Sequence, residues 1–104
     1  MKYSGFDWDK GNKKKCQKHG LSLKKIENVF TTKKLFISPD IRHSQNEKRF
    51  LAISQENTSK RVFVAFTLRV KNNSILIRPI SARYMHKKEQ ERYVQTTKNR
   101  KNTS

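Results

Sequence analysis

Acidic residues are scarce in this chain. Eight Asp and Glu face 25 Lys and Arg, which leaves a formal charge of +17 and a pI near 10.5. Such a chain repels itself and attracts polyanions, so nucleic acid, an acidic membrane face or an acidic protein are the partners to weigh. Cysteine is nearly absent too. Cys16 stands alone, no internal disulfide can form, and a cytoplasmic setting is expected. Long hydrophobic runs are missing, far short of the ~20 residues that a membrane helix needs. No helix face is apolar enough to lie on lipid, and the charged stretch after Met1 lacks the apolar core of a secretory leader. Glycine numbers only 3, with no P-loop, no Rossmann fingerprint and no G-x-S-x-G elbow. Nucleic acid or an acidic protein partner remains; no membrane association is expected.

What is present suits one domain. The 104 residues are 33% apolar and 32% charged, polar but able to build a core where apolar residues cluster, as in Arg61–Arg69. The domain is expected over residues 1–95, with a basic tail at 96–104 that holds no apolar residue. No internal repeat occurs. Asp9 suits the N-cap of a first helix running to about His19, with Gly20 just past its end. Its weakly apolar face predicts a helix lying on the surface. Ser22 opens a second helix through Phe30, with Leu23, Ile26 and Phe30 as the buried stripe. Strands are expected at Lys34–Ser38, Arg49–Ser54, Arg61–Arg69 and Ser74–Arg83, with Asp40–Glu47 a loop and Lys71–Ser74 a turn. Val62, Val64, Phe66 and Leu68 alternate with Phe63, Ala65, Thr67 and Arg69, a strict period of two. Pro79 lacks an N–H and predicts a bulge or an edge within the last strand. His86–Tyr93 reads as a charged helix. The fold class is therefore α+β, with two N-terminal helices, a four-stranded antiparallel sheet and a C-terminal helix.

A set of short motifs occurs in order: Phe6-Asp7-Trp8-Asp9, Lys18-His19-Gly20 with Ser22, Asp40 with His43-Ser44, and Glu47-x-Arg49-Phe50. It continues with Arg61 opening an apolar strand, Thr67-x-Arg69, Ile80-Ser81-Ala82-Arg83, and Glu89 with Tyr93. In this order and at these spacings the chain resembles the BrnT toxin family from about Phe6 to Tyr93. The resemblance implies a RelE-like fold and ribonuclease activity. It also implies neutralisation by a BrnA-like antitoxin with a ribbon-helix-helix domain, in a heterotetramer that reaches operator DNA only through the antitoxin.

Metal-independent RNA cleavage uses the substrate's own 2′-hydroxyl as nucleophile. It needs a base, an acid and cations around the phosphorane; acid–base help is worth ~10²–10⁴-fold. His19, Glu47, Arg49 and Arg83 are the candidate catalytic residues, and Lys18, His43, Arg69, Arg78 and Tyr93 the candidate RNA-binding ones. His19 should sit where a helix dipole favours imidazolium, unless it packs against Trp8 and Cys16. Either His43 or Glu47 suits the base; a simple surface ion pair of Glu47 with Arg49 is the alternative. Arginine forks match phosphate better than ammonium groups do, though an edge-strand charge can also serve only to block aggregation. Arg69 and Arg83 close successive strands and so fall at opposite ends of their hairpin. Tyr93 could stack a base or anchor the last helix. The Lys clusters are read as diffuse steering charge. Cys16-x-x-His19 has the spacing of half a zinc site with no second half, so no metal and no other cofactor is expected. Two other readings fit the charge: an RNA-binding protein without catalysis, such as a ribosome-associated one, and a DNA-binding regulator, for which the helices show no helix-turn-helix pattern.

Overall fold

The computed structural model describes residues 2–44, 46–54, 61–89 and 91–92. In chain order the elements are β1 (Gly5–Phe6), α1 (Lys10–Cys16), α2 (Leu23–Val29), β2 (Leu35–Pro39), a 3-10 turn (Ile41–His43), β3 (Arg49–Ser54), β4 (Val62–Lys71) and β5 (Ser74–Tyr84). Residues 87–89 and 91–92 are helical, as expected for the C-terminal helix; Tyr93 and the tail at 96–104 lie outside the described residues.

The α+β class holds, but the sheet is not the expected four antiparallel strands. It has five strands in the order β1-β5-β4-β3-β2, and β1 runs parallel to β5. A two-residue strand is too short for periodicity to reveal. It forms because Ser4 N–H and Asp7 N–H donate to the carbonyls of Ile75 and Ile77 at 2.8 Å, which covers an open strand edge. β4 and β5 form a long hairpin. Its turn places Asn72 and Asn73 at φ 52° and 63°, the twist-matched geometry of a two-residue hairpin loop.

Both helices begin where the sequence places them. Asp9 caps α1, accepting from Asn12 N–H at 2.9 Å while Asn12 Oδ1 accepts from Asp9 N–H at 2.7 Å; Ser22 caps α2. α1 ends at Cys16, not His19. Gln17 is its C-cap, and the chain turns through Lys18 and His19 to Gly20 at φ 87°. Nor does α1 merely lie on the surface, since Asn12 and Cys16 are buried. In α2 the buried residues are Ile26 and Val29, followed by Phe30, while Leu23 is half-buried. The loop after β2 contains a 3-10 turn that the sequence does not announce.

The helices seal one face of the sheet. Phe66, Ile77 and Val64 are fully buried with Leu21, Ile26 and Cys16. Edge-to-face rings run Tyr3–Phe6–Phe30–Phe66, and Phe50 stacks on Phe66. Trp8 Nε1 donates to Glu27 at 2.9 Å, tying α2 to the segment before α1.

Pro79 does mark a bulge. Phe66 pairs with Pro79 and Ala65 with Ser81, so Ile80 is an extra residue in β5. Strict alternation from Ile77 would send residue 83 to the core; the inserted residue inverts the phase. Ala82 becomes the buried one, and Arg83 pairs across from Phe63 on the open face. Asn12 fixes this point, because its Nδ2 donates to Pro79 O at 2.9 Å and to Asp7 O at 3.0 Å.

Asn12→Ala should therefore destabilise the fold by about 2 kcal/mol, through loss of its half of the capping box and a buried carbonyl deprived of its donor. Urea unfolding followed by circular dichroism measures this; a midpoint equal to the parent's would disprove the role given to Asn12.

Candidate active site

The face away from the helices is floored by small and apolar residues and walled by cations. Arg49 and Leu51 from β3, Phe63 and Ala65 from β4, and Ser81 and Arg83 from β5 line a groove of about 510 Å³. Lys15 and His19, from the end of α1 and the turn after it, line it beside β5. Asp40 and His43 line it from the segment before β3.

That segment is stitched to β3. Asp40 N–H donates to Arg49 O at 2.8 Å, Ser44 Oγ donates to Asp40 O at 2.6 Å, and Arg49 N–H donates to Ser44 Oγ at 3.1 Å. Asp40 Oδ2 lies 2.9 Å from His43 Nδ1, which orients the imidazole and leaves Nε2 outside that contact. Thr67 Oγ1 donates to Lys48 O at 2.7 Å, fixing the start of the same strand. Arg49 has no ion pair among the described residues, and its buried Nε has no hydrogen-bond partner. It also lines an adjoining cavity of about 520 Å³ with Arg42, His43, Asn46 and Glu47.

Arg83 is held from three sides. Nη1 and Nη2 donate to Glu89 Oε1 and Oε2 at 2.6 and 2.8 Å, Nη1 also donates to Tyr84 O at 3.3 Å, and the guanidinium lies 5.0 Å from the Phe63 ring centre. Glu89 Oε1 accepts from His86 N–H at 2.9 Å. The Arg83 hydrogen bonds hold the Glu89 carboxyl down to about 2, and the same contact raises Arg83.

Three of the four candidate catalytic residues thus line one groove: His19, Arg49 and Arg83, joined by His43. Glu47 does not. It lines the adjoining cavity and binds Arg69 at 2.8 Å, not Arg49, because β3 begins at Arg49 and Glu47 precedes the alternating stretch. Arg69 pairs with Leu76 at the turn end of the hairpin and Arg83 with Phe63 at the other, the opposite ends expected. Arg78 holds the start of α1. Its Nη2 donates to Asp9 at 2.7 Å and its Nη1 lies 3.5 Å from Asp7; the Asp9 hydrogen bond raises its pKa. Lys18 is exposed in the turn after α1 and does not line the groove. His19 is exposed, not half-buried against Trp8 and Cys16.

Sequence reasoning gave no chemical role to Asp40, Phe63, Ser81 or Glu89. The i, i+3 spacing of Asp40 and His43 was a usable signal for the first. Cys16 is buried, its thiol pushed up to about 11 by desolvation. Among the described residues, no three His, Cys, Asp or Glu side chains gather as metal ligands, and no helix is long and apolar enough to cross a membrane. In chemical terms the groove presents two imidazoles, two guanidiniums, the Lys15 ammonium and the Asp40 carboxylate over an uncharged floor, a setting suited to a phosphodiester.

A family profile described as the ribonuclease toxin, BrnT, of type II toxin–antitoxin systems matches residues 8–89. No curated protein matches the chain closely enough to count as a relative. The matched stretch spans every groove residue and closes on Glu89.

The Glu89 carboxyl is lowered in the fold, so the stability it contributes is fully present above its ordinary value near 4.5 and is lost as pH falls through about 2. A carboxyl-carbon NMR titration of Glu89 should give a midpoint near 2; a midpoint of 4 or above would mean the pair with Arg83 does not hold in solution.

Proposed function

The chain belongs to the BrnT family of ribonuclease toxins of type II toxin–antitoxin systems, and from that premise we propose that it cleaves RNA at the groove on the open sheet face, without a metal, and so inhibits translation. The observation that carries this reading is the convergence of His19, His43, Arg49 and Arg83 on one cavity. RNA supplies its own nucleophile, so the protein needs a proton acceptor, a proton donor and fixed positive charge.

His43, oriented by Asp40, takes the proton from the 2′-hydroxyl. The 2′-oxygen attacks phosphorus while Arg49 and Arg83 hold the phosphoryl oxygens. The bond from phosphorus to the 5′-oxygen breaks, and His19 donates the proton that the departing oxygen needs. The products are a 2′,3′-cyclic phosphate and a free 5′-hydroxyl. Glu47 is the second candidate base; Asp40 beside His43 favours the imidazole, because Glu47 is tied to Arg69 in the next cavity. Lys18, Arg69 and the lysine clusters draw the RNA in. Arg78, already paired with Asp7 and Asp9, contributes mainly to the fold. Tyr93 remains a base-stacking candidate.

The family is one half of a two-component system, so an antitoxin partner follows. We infer the finer points from the resemblance: a RelE-like layout, a BrnA-like antitoxin with a ribbon-helix-helix domain, a heterotetramer, operator DNA reached through the antitoxin, and residence in the cytoplasm. The net charge of +17 supports an acidic covering surface on that partner.

Purified protein should cleave a labelled RNA equally well with and without chelator, leaving cyclic-phosphate ends. His43→Ala and Arg49→Ala should each lower the rate by roughly 10²-fold or more. RNA bound tightly but left intact by the parent, with and without ribosomes, would instead make this a binding protein.

A further inference from the structure

We propose that Glu89 is a positioning residue for the RNA phosphate: together with Tyr84 O and Phe63 it locks Arg83 so that one edge of the guanidinium, Nε with Nη2, is left as a two-donor fork. The inference rests on the ribonuclease reading of the groove.

A guanidinium has five N–H bonds in one plane. Both on Nη1 are used, one by Glu89 Oε1 at 2.6 Å and one by Tyr84 O at 3.3 Å. One on Nη2 goes to Glu89 Oε2 at 2.8 Å. The two that remain among the described residues, on Nε and Nη2, lie along the same edge and run parallel, the arrangement that meets two oxygens of one phosphate. The Phe63 ring, part of the groove floor, covers one face of the plane at 5.0 Å and limits rotation. Glu89 is itself anchored by His86 N–H, and the chain before it is pinned by buried Met85, whose N–H donates to Arg61 O at 2.8 Å. A long side chain that would otherwise sample many rotamers therefore meets its ligand already ordered.

The competing possibility is that Glu89 restrains the site by neutralising Arg83. The two differ in sign. Removing a carboxylate raises the net charge, so charge alone makes RNA binding tighter; loss of a positioning contact makes it weaker. The test uses the full chain and a short, fully 2′-O-methylated RNA that cannot be cleaved, with binding followed by fluorescence anisotropy at fixed salt. Thermal melts confirm that each variant is folded at the assay temperature. Glu89→Gln, which keeps an acceptor for His86 N–H, and Glu89→Ala should both weaken binding roughly tenfold. Arg83→Ala should weaken it similarly, and the double variant should be no worse than Arg83→Ala alone. Glu89→Gln binding as tightly as the parent, or tighter, overturns the proposal. So does a loss that persists undiminished in the Arg83→Ala background, which a merely structural role would give. Should the parent leave cleavable RNA intact, the ribonuclease reading fails while this binding comparison still decides the role of Glu89.

Discussion

The open face owes its chemistry to one inserted residue. Were β5 to alternate without interruption, Ser81 and Arg83 would point at Phe66 and the helices, and a guanidinium in that core would be ruinous without a partner. Ile80 inverts the phase, so Ala82 meets the core and Arg83 joins Arg49 across the sheet. Proline beside the bulge has no N–H to leave unpaired, and its carbonyl is taken up by Asn12 from a helix of seven residues. Such a helix is too short to persist alone. It exists because the sheet needs its cover, and the sheet keeps its register because the helix supplies Asn12. Fold and site are thus fixed by the same contact.

Charge scarcity sets the second rule. In so basic a chain carboxylates are few, and six of the described ones are spent on geometry. Asp7 and Asp9 gather Arg78 and Lys71 around the start of α1. Glu27 receives Trp8, Asp40 orients His43, Glu47 holds Arg69 and Glu89 holds Arg83. Exposed pairs of this kind add little stability singly. Their consequence is order: Asp40 and Glu89 pin His43 and Arg83 at the groove, and among the described residues Arg49, His19 and the lysines other than Lys71 have no ion pair.

Much of this was legible beforehand, and the failures have physical reasons. Period-two alternation placed β4 and its two faces, and the caps Asp9 and Ser22 placed both helix starts, because those signals are local. Pro79 announced a bulge but not its consequence; phase inversion depends on which residue is extra, and Ala65 pairing with Ser81 is a property of two strands. β1 was invisible because two residues carry no period. The end of α1 was set too late, since His19 continues the helical spacing from Asn12 and Cys16 while the backbone has already turned at Gln17. In the site, residue types pointed to His19, Arg49 and Arg83, and spacing suggested Glu47 with Arg49. Spacing failed there because Glu47 lies before the strand starts, free to reach Arg69 across the sheet. Asp40 and Glu89 stood in the motif set without a chemical role: the i, i+3 spacing of Asp40 to His43 was a usable signal, while the contact of Glu89 with Arg83 depends on how the chain turns after β5.

The groove also departs from the rule that buried polar groups are satisfied. Arg49 Nε is buried with no hydrogen-bond partner, on a residue whose backbone is bound firmly by Asp40 and Ser44. An orphaned N–H of this kind costs about 1–3 kcal/mol, and native folds rarely keep one without a reason. That backbone anchors the residue beside Leu51 and Phe63 at the groove. An anionic ligand in the groove would meet Lys15, Arg49 and Arg83 together. Positive charge rooted in advance in this way needs little reorganisation when an anion binds.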